Sequence, residues 1–337
     1  MIKKVQKAIG SPWGQRITIL VLICIIMAIL EPIFLRPTNA KSILLAISIN
    51  GIMACGMLFT VLVGGLDFSV GSLAGFSAST AFLVATRYGF SDNGFLLGCA
   101  VAILACIAVG FINGFFVTRF EIPAFIITLA MRYAIYGASY FITSGFYVYA
   151  PGRGLAFELG NANILSIPMP VIIFVIIVII CAVVLGKTTF GRRLYAIGGN
   201  KHAANLAGFN ASRNTILAFI ISSVAAGIGG IILASMNTQA GQPTGLGYEG
   251  NVLMAMVVGG INLAGGEGGI PGAVFGALLV GVINNAMLLL SISADYQTFV
   301  QGVVILAAMS LNMYTKRGMS GSFKFKFKPF KPKKTES

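Results

Sequence analysis

The sequence predicts an all-α integral membrane protein of about ten transmembrane helices, with its N- and C-termini both in the cytoplasm. Three observations carry this. The chain is 57% hydrophobic and only 9% charged, against roughly 25% charged in a soluble domain, so lipid must be its main solvent. Its apolar runs are long enough to cross a bilayer and are joined by short turns. Its 42 glycines suit helices that pack closely in a membrane.

A spanning helix needs about 20 apolar residues. The runs at 17–35, 43–63, 69–86, 95–118, 122–142, 164–186, 212–236, 251–265, 270–290 and 295–314 meet or approach that length. The first exceeds a signal-peptide core and lacks a small-x-small cleavage site, so it reads as a retained helix. The eighth is short and glycine-rich, which predicts a broken or partly spanning helix. The organisation is then a cytoplasmic N-terminus (1–16), a transmembrane domain (17–315) and a basic cytoplasmic tail (316–337). Within the membrane domain, 187–211 is the largest internal cytoplasmic loop.

The basic residues set the orientation. With the N-terminus inside and all ten runs crossing, the cytoplasmic stretches hold Lys3, Lys4, Lys7, Arg16, Arg119, Lys187, Arg192, Arg193, Lys201, Arg213 and the lysine-rich tail. The outer loops hold only Arg36, Lys41, Arg87 and Arg153, and Arg132 lies within a run. This bias follows the positive-inside rule. The tail, KFKFKPFKPKKTES, is a solvated topology anchor or a contact for anionic headgroups.

The same placement excludes nucleic acid as a partner, because the net charge of +14 sits in connectors and ends rather than in a patch. Cys24, Cys55, Cys99, Cys106 and Cys181 all lie in apolar runs without CxxC spacing or a His partner, so they read as small buried hydrophobes. His202 stands alone in a polar loop. No metal cluster or catalytic constellation is visible, and no cofactor is expected. CAVVLGKT (181–188) ends like a phosphate-binding loop, but Cys181 stands where that loop needs Gly. Any ATP must therefore be bound by a partner.

Two stretches resemble one another: VLVGGLDFSVGSLAG (61–75) and VVGGINLAGGEGGIPG (257–272). Each places Gly-Gly, an aliphatic residue and Asp or Asn at the end of an apolar run, which predicts two parallel repeats. Gly64-Gly65 and Gly259-Gly260 break helices at membrane depth, which is tolerated only against protein or a water-filled cavity. They read as a gate with Asp67 and Asn262 as its polar groups, or as tight turns in which Asp67 caps the next helix beside Ser69. The pairs Gly71/Gly75, Gly110/Gly114 and Gly272/Gly276 have the spacing of close helix packing. Of the acids, Glu31, Glu121 and Asp295 lie near runs, and Glu158 and Glu249 fall in outer loops. Arg132 is a relay residue or a structural partner for a backbone carbonyl.

The island GRRLYAIGGNKHAANLAGF (191–209) interrupts this apolar chain. Arg192, Arg193, Lys201 and Arg213 are unaccompanied by any acid there. Asn200 is a plausible N-cap and Gly208 a plausible stop for a short helix carrying Ala203, Ala204 and Ala207. Such a helix suits insertion into a groove of another protein, or is a connector oriented by its charges.

The stretches GGLDFSVGS (64–72), IPAFIITLA (122–130), FGRRLYAIGGN (190–200) with AANLAG (203–208), and GGINLAGGEGGIPGAVFGALLVGVINNAM (259–287) resemble the membrane permeases of ribose-type monosaccharide ABC importers, a family including ribose, xylose and autoinducer-2 permeases. The resemblance spans nearly the whole chain in order. It implies a permease in a bacterial inner membrane, paired with a second copy or a sister permease. Two cytoplasmic ATP-binding subunits would sit below and an extracytoplasmic sugar-binding protein above. The loop 187–211 would couple to the ATPase through Arg192, Arg193, Asn200, Lys201, Ala203, Ala204 and Gly208. The turn Gly64 to Phe68 would form part of the inner gate.

There are departures. Lys201 stands where related permeases often have Glu, Phe68 replaces the usual Leu, and the arginine often found just before the Gly137 position is absent, with Arg132 several residues earlier. The path needs only weak hydrogen bonds to sugar hydroxyls, because tight binding would prevent release. Asn113, Asn284, Asn285 and the carbonyls of the glycine turns could supply them. The contrasting reading is a self-sufficient secondary carrier or channel for a small neutral solute. A membrane enzyme would need clustered acids, His or Cys, which the loop lacks.

Overall fold

The computed structural model describes residues 12–318. Lys3, Lys4 and Lys7, and the tail beyond residue 318, lie outside the described residues. Among the described residues the fold is helical, with two minute antiparallel strand pairs. The helices are α1 (Pro12–Leu30), α2 (Pro37–Leu62), α3 (Val70–Arg87), α4 (Asp92–Arg119), α5 (Ala124–Thr143), α6 (Leu155–Asn161), α7 (Met169–Lys187), α8 (Thr189–Gly199), α9 (Lys201–Leu206), α10 (Ala211–Asn237), α11 (Tyr248–Val258), α12 (Ile270–Leu289) and α13 (Ala294–Gly318).

Each of the ten apolar runs coincides with a helix. Seven helices, α1, α2, α4, α5, α7, α10 and α12, are long and apolar enough to cross a membrane. The chain is thus a multi-pass membrane protein. The short eighth run is broken as its glycines predict: α11 has 11 residues and rises about 16 Å, half of a roughly 30 Å hydrocarbon core.

Local chemistry sets the boundaries. Proline opens the first turn of α2, α7 and α12, where its missing N–H costs nothing. Ser91, Thr188, Asn200 and Asn210 accept the orphan amides of Gly94, Gly191, Ala203 and Arg213 at 2.8–3.2 Å.

Helices α2 and α10 form the centre. Helix α2 buries Ile49 through Leu62 almost continuously, and α10 lies against α2, α3 and α4. Close approach follows from small residues. Gly110 and Gly114 of α4 abut the α10 backbone at Ile220 and Ile216. Gly272 and Gly276 of α12 abut α11 at Gly259 and Ala255. These two pairs behave as helix-packing patterns. The third differs: Gly71 and Gly75 of α3 receive the turn segment Gln242–Gly245, and Gly71 also meets the Glu249 carboxylate of α11. That segment leads into α11 along α3, and the sequence offered no hydrophobic run to reveal it.

Helix α6 and the strand pairs β1 (Val148–Tyr149) with β4 (Gln239–Ala240), and β2 (Asn163–Ile164) with β3 (Ile167–Pro168), were not legible from hydropathy. Helix α6 docks on the end of α10, where Gly160 meets the Ser235–Met236 backbone and the Asn161 amide donates to the Ser235 carbonyl at 2.8 Å.

Helices α2 and α12 are tied by a reciprocal amide pair. The side chains of Asn39 and Asn285 donate to each other at 3.0 and 2.8 Å, and Asn39 also donates to the Phe34 carbonyl. Asn285→Ala would strand a buried amide, which costs about 1–3 kcal/mol. A lowered thermal midpoint of the detergent-solubilised protein is the expected result.

Candidate functional site

At one end of the bundle both glycine turns and the polar island meet. The first turn begins where α2 runs out: the amides of Gly64 and Gly65 donate back to Val61 and Thr60 carbonyls at 2.9 and 2.8 Å. Gly64 has φ +78°, a left-handed conformation that a side chain disfavours. Asp67 then turns fully inward. Its carboxylate accepts the Ser69 amide at 3.0 Å, the Ser69 hydroxyl at 2.5 Å and the Ser222 hydroxyl of α10 at 2.8 Å. The Ser69 oxygen in turn accepts from the Asn113 amide of α4 at 3.2 Å. Asp67 therefore holds the turn before α3 and knots it to α4 and α10. The capping expectation is met locally: Asp67, from inside the protein, accepts the amide and hydroxyl of Ser69, the residue that precedes α3.

The second turn is built around Asn262. Its side-chain oxygen accepts the Ala264 amide, and its nitrogen donates to the Gly265 carbonyl and to Glu267, each at 3.2 Å. This folds residues 262–267 back on themselves, and the Gly266 amide reaches across to the Leu62 carbonyl of α2 at 2.9 Å. The two turns touch directly, since a Cβ on Gly64 would lie 3.2 Å from the Ala264 carbonyl oxygen. Arg16 of α1 closes the far side: its guanidinium occupies the space that a side chain on Gly260 would need.

The island supplies the third wall. Helix α8 buries Gly191, Leu194 and Ile197 on one face and ends in Gly198-Gly199. Gly198 is pressed between the Leu62 carbonyl and the Gly266 amide, leaving no room for a Cβ. The Tyr195 hydroxyl donates to the Gly268 carbonyl at 2.9 Å. Partial burial pushes its phenol above the ordinary tyrosine value, so it remains a donor at neutral pH. The island is thus in backbone contact with both turns. The role of Gly198 is not legible from hydropathy; the doubled glycine before a capping Asn is its one sequence signal.

Away from this junction the island is open. Arg192, Arg193, Asn200, Lys201, Ala203 and Gly208 are exposed, with Leu206 projecting beside them. Asn200 caps α9, and Gly208 follows it at φ +83°. Ala204 departs from the expected surface: it packs inward on Ile197 and Ala211, because the first turns of α9 must cover the seam between α8 and α10. Arg193 stacks over Phe209 with its carbon 5.8 Å from the ring centre, and Lys201 lies 3.9 Å from Glu121.

The polar groups of the expected path are placed as follows. Asn113 and Asn285 are buried within the chain, on Ser69 and Asn39. Asn284 is half-buried and donates to Asn251 at 3.1 Å, which also accepts from Gln301 at 2.9 Å. Glu249 corrects a sequence expectation. It lies in the first turn of α11, not in an outer loop, and is buried against Arg132 of α5 with 2.6 Å between Nη2 and Oε1. The partner of Arg132 is a carboxylate rather than a backbone carbonyl, since the turns before α11 carry the acid inward along α3.

With this geometry in place, the comparisons with known proteins are specific. Residues 39–309 match the family model described as branched-chain amino acid transport system / permease component. The chain is 38% identical over 310 residues to the L-arabinose transport system permease protein AraH of Escherichia coli (strain K12), covering 91% of this chain and 93% of the relative. It is 36% identical over 296 residues to the ribose import permease protein RbsC of Bacillus subtilis (strain 168), covering 87% and 90%. The ribose import permease protein RbsC of Escherichia coli (strain K12) is likewise 36% identical, covering 87% and 91%. No solved structure matches the chain.

Proposed function

Because the chain belongs to the branched-chain amino acid transport system / permease component family, and is the permease subunit of an ATP-driven sugar importer that hydrolyses no ATP itself, we propose that its exposed basic island receives the stroke of separate ATPase subunits and passes it to the two glycine turns. The observation that carries this is the contact of α8 with both turns through Gly198 and Tyr195. A surface that touches a partner on one side and two helix breaks on the other can transmit motion without chemistry of its own.

The reading extends to the whole assembly. Ten crossings in two parallel repeats, with both ends in the cytoplasm of a bacterial inner membrane, would bring both glycine turns and the island to the cytoplasmic face, in keeping with the distribution of Lys and Arg. The membrane domain runs 17–315. A second copy or a sister permease completes the path, two ATP-binding subunits dock below, and a sugar-binding protein delivers a pentose from outside. The chain takes no cofactor of its own. Motion at the junction opens and closes the path, and sugar hydroxyls meet weak hydrogen bonds on the way.

Reconstitution tests this. Vesicles holding the chain alone should show no flux of ribose or L-arabinose. Adding the ATPase subunits, the binding protein and ATP should produce uptake that stops when ATP is withheld. Selective flux through the lone chain would establish a self-sufficient carrier instead.

A further inference from the structure

We propose that Arg132, held by Glu249 and flanked by Tyr133 and Tyr136, is a binding station for a neutral polyol in the translocation path, one helical turn beyond the first glycine turn. The inference rests on the permease reading above and locates where the sugar is touched.

Position comes first. The Thr128 hydroxyl of α5 donates to the Leu66 carbonyl at 3.0 Å, which fixes this helix against the first glycine turn. Arg132 is four residues on, one turn or about 6 Å along the same face. Its side chain is 29% exposed, whereas that of Glu249 is 8% exposed. A guanidinium in the middle of a span is costly in hydrocarbon and faces protein or a water-filled cavity. On this proposal the open edge of Arg132 lies on the wet side of α5.

Chemistry follows from what is left unused. Glu249 takes one donor of a five-donor fork, and among the described residues no other partner meets the rest. The guanidinium lies 5.9 Å from the Tyr133 ring centre. Tyr136 and Tyr140 recur at four-residue spacing, on the face that carries Arg132. A planar donor fork beside aromatic rings suits a sugar, whose adjacent oxygens accept from the fork and whose C–H face lies on a ring. The carboxylate cancels the charge of the arginine, so the station favours neither anion nor cation. The second oxygen of Glu249 is buried without a hydrogen-bond partner, against Gly71 of α3. Glu249 is thus a positioning residue, and Arg132 the group that touches the solute.

The test uses the complete transporter in vesicles, with ribose and L-arabinose as probes. Tyr133→Cys should react with a charged, membrane-impermeant maleimide faster than the parent chain with its five cysteines, and saturating sugar with binding protein should slow that reaction about fivefold. At matched membrane abundance, Arg132→Lys and Tyr133→Ala should each reduce sugar carried per ATP about fivefold and alter the ratio of the two pentoses. If Tyr133→Cys does not react above the parent, the face lies in lipid or against a second chain and the station is overturned. Reaction without protection by sugar, or an unchanged ratio of sugar to ATP in Tyr133→Ala, overturns it as well. Sugar flux through the wild-type chain without ATP would instead defeat the permease reading on which the station rests.

Discussion

Gly198→Val should reduce sugar uptake at least tenfold, while Gly199→Ala, one residue along, should leave it near the wild-type rate. The contrast follows from two adjacent glycines with opposite surroundings. A Cβ on Gly198 would overlap the Leu62 carbonyl oxygen and the Gly266 amide, whereas one on Gly199 meets nothing within 4 Å. The obstruction at Gly198 is backbone on both sides, so no side chain can swing away. Overpacking of this kind costs about 1–3 kcal/mol, and it falls on the hydrogen bond from Gly266 to Leu62 that joins the turns. Initial rates of labelled-sugar uptake check the prediction, with permease abundance measured by immunoblot. Gly198→Ala covers the case in which valine prevents accumulation, since it places the same Cβ with less bulk. If both variants accumulate and transport normally, the island is not rigidly coupled to the turns.

The sequence disclosed the membrane class because lipid demands long apolar runs, and each run became a helix. It disclosed the break in the eighth run because Gly259-Gly260 cannot sustain a helix that tertiary contacts bend away. It did not disclose α6 or the path of Gln242–Gly245, whose apolar periodicity is too short to register. The candidate site divided in the same way. Gly64, Gly260 and Asn262 were visible from doubled glycines followed by an Asp or Asn, and Asn200 and Gly208 from cap chemistry. Gly198 was hidden because a close backbone approach leaves no mark beyond the glycine itself. The pairing of Arg132 with Glu249, more than a hundred residues apart, was hidden because it depends on how the turns at 242–247 run along α3. Asn113 and Asn285 read as path residues because sugar hydroxyls in transit need weak hydrogen bonds. The sequence could not show that Ser69 and Asn39 supply those partners.

Reversing the charges of Arg192, Arg193 and Lys201 to Glu should separate the permease from its ATPase subunits and lower uptake at least tenfold, without loss of the permease from the membrane. All three side chains are exposed, and substitutions at such positions typically change stability by less than about 0.5 kcal/mol. The Lys201–Glu121 contact at 3.9 Å is a surface pair worth roughly 0–1 kcal/mol. The stacking of Arg193 on Phe209 is the one internal contact of note, and Arg193→Gln separates its loss from the loss of charge. No acid lies between Phe190 and Asn214, so a matching partner surface must be acidic, and the reversal turns attraction into repulsion at three points. The same electrostatics predict that raising salt weakens copurification of the wild-type complex, since exposed charges are screened beyond about 8 Å at physiological ionic strength. Copurification of the ATPase with the tagged permease, measured across a salt series, reads the effect directly. Full retention of the ATPase by the triple variant would mean that the island is held by Leu206 and its neighbours rather than by charge. Retention together with undiminished uptake would remove the island from the coupling path altogether.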